Sequence, residues 1–402
     1  MNTTIRNQFP ALQRIHNGNP LIFLDGPGGT QVPERVIEAV SNYYRQSNAN
    51  THGAFLTAME TDEVMNNCRQ NMAVFLNAPS PKQISLGQNM TSLNFSLAKA
   101  IGRRLQTGDE ILITQLDHEA NRGPWLSLRE QGIIVKEINL LPNGTLDYND
   151  LEQKLNHRTR LVAMGLASNL LGTVNDVHRV RQMTYSIGAW LALDAVHYAP
   201  HFSIDVQAMG CDFLLCSAYK FYGPHVGILY SKEGLLDQLP TDRLRTADQY
   251  APYSIETGTL NHAAMAGVSA AIEFIASLGQ GESQRAQLED ALSHIQKHER
   301  SRAKQLYKGL QSIKGIQIYG PNLNTEHRAP TLSFSVKGKR PEEICQALAK
   351  ENICAWDGHF YALRAVEVLG LLEQGGLTRL GISVYTNEEE IQKTLDVIAQ
   401  LG

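Results

Sequence analysis

The sequence has little of what marks membrane, secreted or nucleic-acid-binding proteins. None of its 402 residues belong to an uninterrupted apolar run long enough to span a membrane, and the first twenty lack the continuous apolar core of a signal peptide. The net charge of -4 is spread without blocks, so neither nucleic acid nor an anionic membrane is expected as a partner. We predict a cytoplasmic protein that acts on small molecules.

Cysteine is also scarce. The five cysteines are odd in number and form no CxxC pair, which argues against a disulfide framework and a zinc site. They are Cys68, Cys211, Cys216, Cys345 and Cys354. The segment "HYAPH" contains His197 and His201, but a proline between them breaks a shared helical face and no third ligand is adjacent. No metal is expected.

The chain does contain alternating short apolar runs and amphipathic helical patterns, which is typical of a parallel sheet covered by helices. The candidate strands are "LIFLD" (21–25), "QISLG" (83–87), "EILIT" (110–114), "IIVKEI" (133–138), "RLVAMGLAS" (160–168), "WLALDAVH" (190–197), "FLLCSAYK" (213–220) and "GILYS" (227–231). The pattern predicts an α/β fold with a large parallel sheet.

Helical spacing is clearest after the second of these strands, where Met90, Leu93, Leu97 and Ile101 recur every three or four residues behind an N-cap at Asn89. Beyond residue 275 the pattern of apolar residues changes, and it predicts long helices mixed with strands at 331–336, 353–356 and 378–384. We therefore predict three parts. An N-terminal segment, 1–20, packs on the small domain; 21–275 forms the large domain; 276–402 forms a smaller α+β domain.

Polar residues end several of the predicted strands, and ligands of open parallel sheets bind at those carboxyl ends. Asp117 and His118 follow one strand, Ser168 and Asn169 another, Asp194 and His197 a third, and Ser217, Tyr219 and Lys220 a fourth. Each alone is typical of a turn or a cap. Together, however, they supply the parts of a site for pyridoxal phosphate (PLP).

The chemistry of PLP explains why these residue types are needed together. A lysine buried beside Leu214 and Phe221 has a lowered pKa, which the attack on an aldehyde requires. An aspartate, here Asp194, keeps the pyridine nitrogen protonated, and the His118 ring can stack on the cofactor. The N-terminus of the helix that follows Asn89 can receive the phosphate.

The motifs resemble the class V aminotransferase family of fold type I PLP enzymes, and most closely its cysteine desulfurase and selenocysteine lyase branch. "CSAYKFYGP" resembles the motif around the cofactor lysine, which implies Lys220 as that lysine, Ser217 as a phosphate ligand and Tyr219 where the family usually has histidine. "LDHEANRGPW" implies His118 as the stacking ring. "ASNLLGT" implies that Asn169 lies near the cofactor, with a role at the substrate as well.

The same resemblance implies roles for more distant residues. "LDAVH" gives Asp194 and His197 as cofactor ligands, and "TRLGISVYTNEEE" gives Arg379 as the clamp for a substrate carboxylate. "ETGTLN" implies a homodimer in which Thr259 reaches the phosphate of the partner's site. The fold implied is a mainly parallel seven-stranded sheet in the large domain. The family's Thr-Thr pair is replaced in "GQNMTS", so Asn89, Met90 and Thr91 would bind phosphate mainly through backbone amides.

One departure bears on the reaction. The desulfurases carry a catalytic cysteine on a loop after a Gly-His pair, whereas "WDGHFYAL" places Tyr361 there and Trp356 where an arginine is usual. Cys354, in an apolar strand, is expected to be inert. We predict a PLP-dependent C–S lyase or desulfurase-like enzyme without a catalytic cysteine, acting on a small amino acid through Cα deprotonation by Lys220. Aminotransferase, epimerase and catalytically silent PLP-binding protein remain alternatives.

Two N-terminal features have weaker interpretations. "DGPGGT" (25–30) follows a strand, but its spacing is not that of a dinucleotide-binding turn, so a tight turn beside the pocket is favoured. The loop "NANTHGAF" (48–55) is expected to line the pocket, with His52 as a substrate contact or an exposed loop residue.

Overall fold

The computed structural model describes residues 3–323 and 328–401. Its strands are β1 (Ile15–His16), β2 (Asn19–Pro20), β3 (Ile22–Phe23), β4 (Ile84–Gly87), β5 (Glu110–Thr114), β6 (Ile134–Ile138), β7 (Thr159–Gly165), β8 (Trp190–Asp194), β9 (Phe213–Ser217), β10 (Gly227–Ser231), β11 (Ile316–Tyr319), β12 (Thr331–Val336), β13 (Ile353–Cys354), β14 (Trp356–Gly358) and β15 (Leu377–Gly381).

The α-helices are α1 (Thr3–Arg6), α2 (Glu34–Gln46), α3 (Leu56–Leu76), α4 (Met90–Gly102), α5 (Gly123–Leu126), α6 (Tyr148–Lys154), α7 (Val177–Ser186), α8 (Val206–Met209), α9 (His262–Ala276), α10 (Gln284–Ser312), α11 (Pro341–Lys350), α12 (Leu363–Val368) and α13 (Glu388–Ala399). Short 3-10 turns join several of them.

The large sheet has seven strands in the order β4-β10-β9-β8-β7-β5-β6. The pairs from β9 to β6 are parallel, and β10 is antiparallel to both of its neighbours. Six strands therefore run in one direction, which confirms the predicted mainly parallel sheet. Their carboxyl ends, from Gly87 to Ser217, open onto one edge.

Apolar side chains cover both faces of this sheet. One cluster contains Leu112, Val162 and Leu214, and a second on the other face contains Ile113, Ala163 and Leu215. This alternation follows from the two-residue period of a strand. Both faces are buried, as expected of a sheet flanked by helices.

The predicted helix after β4 is confirmed as α4. Leu93, Leu97 and Ile101 are buried on its inner face, and the Asn89 side chain accepts a hydrogen bond from the backbone N–H of Ser92 at 2.8 Å. The cap fixes where the helix begins. Its first residues consequently face the edge where the parallel strands end.

The C-terminal region forms a four-stranded antiparallel sheet, β11-β12-β15-β14, packed against α10, α11 and α13. "LIFLD" was expected beside the other parallel strands, but β3 instead pairs with β13, and Ile22 and Leu24 are buried in the C-terminal cluster. The pairing partner lies more than 300 residues away in sequence, so local pattern carries no information about it.

The N-terminal segment contacts the C-terminal region through an ion pair of 2.8 Å between Arg6 and Glu390. Helix α9 ends at Ala276, where the domain boundary was predicted, and the exact boundary stays a prediction. None of the helices in the described ranges is both long and apolar enough to cross a membrane.

Candidate active site

A cavity of about 930 Å³ lies where the parallel strands end. Residues after β5, β7, β8 and β9 line one side, and residues from β14, the loop after it and β15 line the other. The predicted residues in its lining are Met90, Thr91, His118, Asn169, Asp194, His197, Ser217, Tyr219, Lys220, Tyr361 and Arg379. The fold thus brings together residues spread over nearly 300 positions.

Lys220 lies directly after β9 and is buried, with its amine facing the cavity. Its Nζ donates a hydrogen bond to the backbone oxygen of Pro27. Burial, followed by the positive charge of Arg379, lowers its pKa from 10.5 to about 7. A large fraction of the amine is therefore neutral near pH 7, which is the nucleophilic and basic form.

Asp194 ends β8 and is buried. One carboxylate oxygen accepts a hydrogen bond from the backbone N–H of Val196 at 2.8 Å, which fixes the orientation of the side chain. Burial, with a contribution from the charge of Asp117, raises its pKa to about 7. A cationic ligand beside this carboxyl group would offset that burial and favour the charged form.

His118 follows β5 and lies against the loop after β14. Its ring packs against that of Tyr361, with centroids 5.3 Å apart and an angle of 30° between the planes. Its Nδ1 accepts a hydrogen bond from the backbone N–H of Ala120. Burial, with the charges of Lys220 and Arg379, lowers its pKa to about 4, so the ring is neutral at pH 7 and offers a flat uncharged face.

The two histidines of "HYAPH" have separate partners. His197 lines the cavity and bonds Thr331 at 2.9 Å, whereas His201 pairs with the buried Glu299 at 2.8 Å. No group of three metal-binding side chains occurs among the residues that the structure describes. Burial holds the pKa of His197 well below its ordinary value, so this ring too is neutral.

The N-terminus of α4 lies at the cavity. Met90 and Thr91 begin that helix and line the cavity, as does Ser217 at the end of β9. A Cβ atom at Gly227 would come within 2.2 Å of the backbone of Asn89, so only glycine lets β10 approach the helix start this closely. Free N–H groups and the helix dipole favour a phosphate there.

Arg379 projects from β15 at the opposite side of the cavity. It is buried and donates one hydrogen bond to the backbone oxygen of Asn169, and its guanidinium lies 4.1 Å from the centre of the Phe360 ring. Burial lowers its pKa to about 9, and the nearby carboxylate of Asp25 acts in the other direction. The remaining N–H groups are available to a carboxylate ligand.

Backbone contacts hold the loop after β14 over the cavity. The Asn169 side chain donates to the backbone oxygen of Phe360 at 2.9 Å, and the N–H of Glu119 donates to that of Tyr361 at 2.7 Å. Phe360 and Tyr361 have φ angles of 52° and 58°, a left-handed conformation that costs about 1–2 kcal/mol per residue. Tertiary contacts therefore impose this loop shape.

Three predicted residues do not line the cavity. Asn89 lies just outside as the cap of α4. His52 is exposed and is 3.5 Å from Asp62, on a surface turn. Thr259 is exposed in the segment before α9, so its predicted role at a partner subunit stays a prediction.

Two acidic residues at the site were given no specific role from the sequence, although Asp117 was recognised among the polar residues at strand ends. Asp117 accepts hydrogen bonds from the backbone N–H of Gly165 and the side chain of Asn121, which tie together the ends of β5 and β7. Asp25 is close enough to Lys220 and Arg379 to affect both, and burial raises its own pKa to about 6. Its position after an apolar run, "LIFLD", was the available signal.

These residues fit PLP. The buried amine of Lys220, with a lowered pKa, is the group that would hold the aldehyde carbon, and Asp194 would pair with the pyridine nitrogen. The neutral ring of His118 would supply a stacking face, and the start of α4 would bind the phosphate. Fold and site together define a fold type I PLP enzyme.

Comparison with known proteins identifies the family. The model of the family "Aminotransferase class-V" matches residues 22–394, so the chain belongs to it. A cysteine desulfurase of Pectobacterium carotovorum is 31% identical over 405 residues, which cover 97% of this chain and 95% of that protein. The protein is accordingly a PLP-dependent lyase or transferase.

Solved structures agree with this assignment. The apo cysteine desulfurase of Thermococcus onnurineus superimposes with a TM-score of 0.88 at 27% identity, covering 99% of this chain and 97% of that one. The Escherichia coli cysteine desulfurase CsdA gives 0.86 at 27% identity, with coverage of 100% and 98%. The predicted fold class and the resemblance to the desulfurase branch are confirmed.

Proposed function

We propose that this protein is a C–S lyase that cleaves a cysteine-type amino acid by β-elimination, without an enzyme thiol. The observation that carries the proposal is the cavity itself: Lys220, Asp194 and Arg379 line it together, and no cysteine lines it within the described ranges of the chain. Bound PLP supplies an electron sink for the charge left at the substrate Cα.

Arg379 positions the substrate. The buried guanidinium donates one hydrogen bond to a backbone oxygen in the described part of the chain, so it can bind an α-carboxylate through two parallel N–H donors. Asn169, whose amide holds the loop after β14, borders the same space. The pair fixes which face of the substrate is presented to Lys220.

Lys220 moves the proton. Because its pKa is about 7, the amine released by an incoming substrate is largely neutral at physiological pH and can remove the Cα proton. The carboxylate of Asp194 is held in place by Val196 on the other side of the site. Departure of sulfur from Cβ then follows from the negative charge developed at Cα.

The absence of a reactive thiol favours elimination over transfer of sulfur to the enzyme. Tyr361 stands on the loop where the desulfurase branch has its cysteine. Burial raises the pKa of Cys354 to about 11 and that of Cys345 to about 12, and neither lines the cavity. A phenol and protonated thiols are poor acceptors for sulfur.

The decisive experiment is product analysis with L-cysteine. Elimination consumes water and gives pyruvate, ammonia and sulfide in equal amounts. Alanine with sulfur would show transfer to a thiol and would refute the proposal. A keto acid that retains sulfur would show transamination, and D-cysteine would show epimerisation.

We also propose that the enzyme works as a homodimer. Thr257, Gly258 and Thr259 are exposed in the single chain, as a segment reaching a second copy would be. Measuring the molar mass in solution, with Thr259→Ala compared for phosphate binding, tests this part separately from the reaction.

A further inference from the structure

The mouth of the cavity carries three exposed aromatic side chains from three separate elements. Phe95 on α4 is 47% exposed, Trp356 on β14 is 55% exposed, and Tyr361 on the following loop is 67% exposed. All three belong to the cavity lining. We call these three residues the aromatic rim.

The rim is not needed to bind cysteine, whose side chain ends in a single sulfur atom. Three exposed aromatic side chains that line one cavity offer a binding surface for an apolar group. The rim is continuous with the catalytic cavity, whose 930 Å³ lies at the upper end of the range of about 300–1,000 Å³ for ligand sites. A group attached to the substrate sulfur would extend toward it.

Backbone hydrogen bonds fix Tyr361 in a position where its ring could contact a group attached to the substrate sulfur. Its backbone oxygen accepts from Glu119, and its N–H donates to the His359 ring at 3.1 Å. Because both bonds use backbone atoms of Tyr361, they leave its phenol ring exposed over His118. A ring that is already held in its binding position loses less conformational entropy when a ligand binds.

The charge at the mouth selects among such groups. Arg379 lies opposite Trp356 in the pairing of β14 with β15, but it is assigned to the α-carboxylate of the substrate, and Lys220 is assigned to the cofactor. These two are the lysine and arginine side chains among the lining residues that the structure describes, so a carboxylate on the sulfur substituent would have no further cation to pair with. A neutral, flat, apolar substituent fits the surface best.

From these observations we propose that the substrate is an S-substituted cysteine, a thioether whose sulfur carries a neutral aromatic or similarly flat group. This rests on the proposed lyase function and deepens it. The Cβ–S bond breaks with its electron pair going to sulfur, the proton taken from Cα balances the thiolate, and water converts the released enamine to pyruvate and ammonia. No oxidant or external sulfur acceptor is required.

The test compares S-benzyl-L-cysteine with S-methyl-L-cysteine, both by equilibrium dialysis on the holoenzyme and by release of thiol and pyruvate. We expect the benzyl compound to bind at least about tenfold more tightly, since burying a ring contributes more than burying a methyl group. Tyr361→Ala and Trp356→Ala should each reduce that ratio roughly two- to tenfold. Tyr185→Ala, at a residue 75% exposed outside the cavity lining, should leave the ratio unchanged.

The outcomes separate the two proposals. If none of the cysteine compounds yields pyruvate, the lyase function fails, and the binding ratio alone decides the role of the rim. Equal binding of the benzyl and methyl compounds, or a ratio that both rim variants retain, overturns the inference. A change in oligomeric state in the rim variants also overturns it, because the rim would then be covered by a second copy.

Discussion

Replacing Lys220 by methionine should stabilise the cofactor-free protein, although it removes the residue that we propose as the base of the reaction. The two side chains are similar in length, so the change mainly deletes a buried amine whose pKa is lowered from 10.5 to about 7. In the unfolded chain that amine keeps its proton up to about pH 10.5. In the folded protein it has lost most of that proton already at pH 8.

The free-energy cost of keeping the amine neutral follows from the difference between its pKa values in the folded and unfolded states. At pH 8 the unfolded lysine is about 2.5 pH units below its pKa, and each unit is worth about 1.4 kcal/mol, so keeping the amine neutral costs roughly 3 kcal/mol. The loss of the hydrogen bond to Pro27 reduces the stabilisation by about 1 kcal/mol. The net gain for Lys220→Met at pH 8 is therefore about 2 kcal/mol.

The sign of the pH dependence is fixed. Between pH 7 and pH 10.5 the unfolded state binds the proton that the folded state lacks, so the stability of the wild type rises with pH over this window. The advantage of Lys220→Met should accordingly shrink to near zero at pH 10. Denaturant unfolding of the cofactor-free proteins at pH 8 and pH 10 measures both values.

An exposed lysine provides the control. Lys82→Met, at a surface position, should change the free energy of unfolding by less than about 0.5 kcal/mol at either pH. If Lys220→Met is destabilising at pH 8, or if its gain persists at pH 10, then the amine is not held neutral by burial and the argument for its basicity fails.

Three further substitutions test the other parts of the site. Asp194→Asn should lower kcat by roughly 10²–10³-fold while the fold is retained, because a preorganised charge at the site is lost; unchanged kcat would contradict its assigned role. Arg379→Lys should lower kcat/KM for amino acids about 10- to 100-fold, since an ammonium group cannot form the two parallel bonds, and equal values would remove Arg379 as the carboxylate clamp. Tyr361→Cys should shift part of the product from pyruvate to alanine with sulfur bound to the protein, detected by mass spectrometry; pyruvate alone would show that this loop does not present its side chain to the leaving sulfur.

Sequence patterns predicted the architecture where local chemistry decides it. The start of α4 follows from the capping side chain of Asn89, and the strands that carry Asp194 and Lys220 follow from apolar runs that are buried on both faces of the sheet. The polar residues at their ends meet because parallel strands end at one edge. Local rules are sufficient for this part of the site.

Other features depend on tertiary contacts that no local pattern encodes. Strand β3 joins β13 instead of the large sheet because its partner lies far along the chain. The left-handed conformation of Phe360 and Tyr361 is imposed by the bonds from Asn169 and Glu119. The influence of Asp25 on two cations was likewise invisible until the fold brought them together.

The central claim is that the amine of Lys220 holds PLP covalently. Borohydride reduction of the holoprotein, followed by proteolysis and mass spectrometry, tests it most directly. We expect a phosphopyridoxyl group on the peptide containing Lys220, and we expect Lys220→Ala to lack both this group and the yellow absorption. A label on a different lysine, or a Lys220→Ala protein that keeps its colour and turnover, would contradict it.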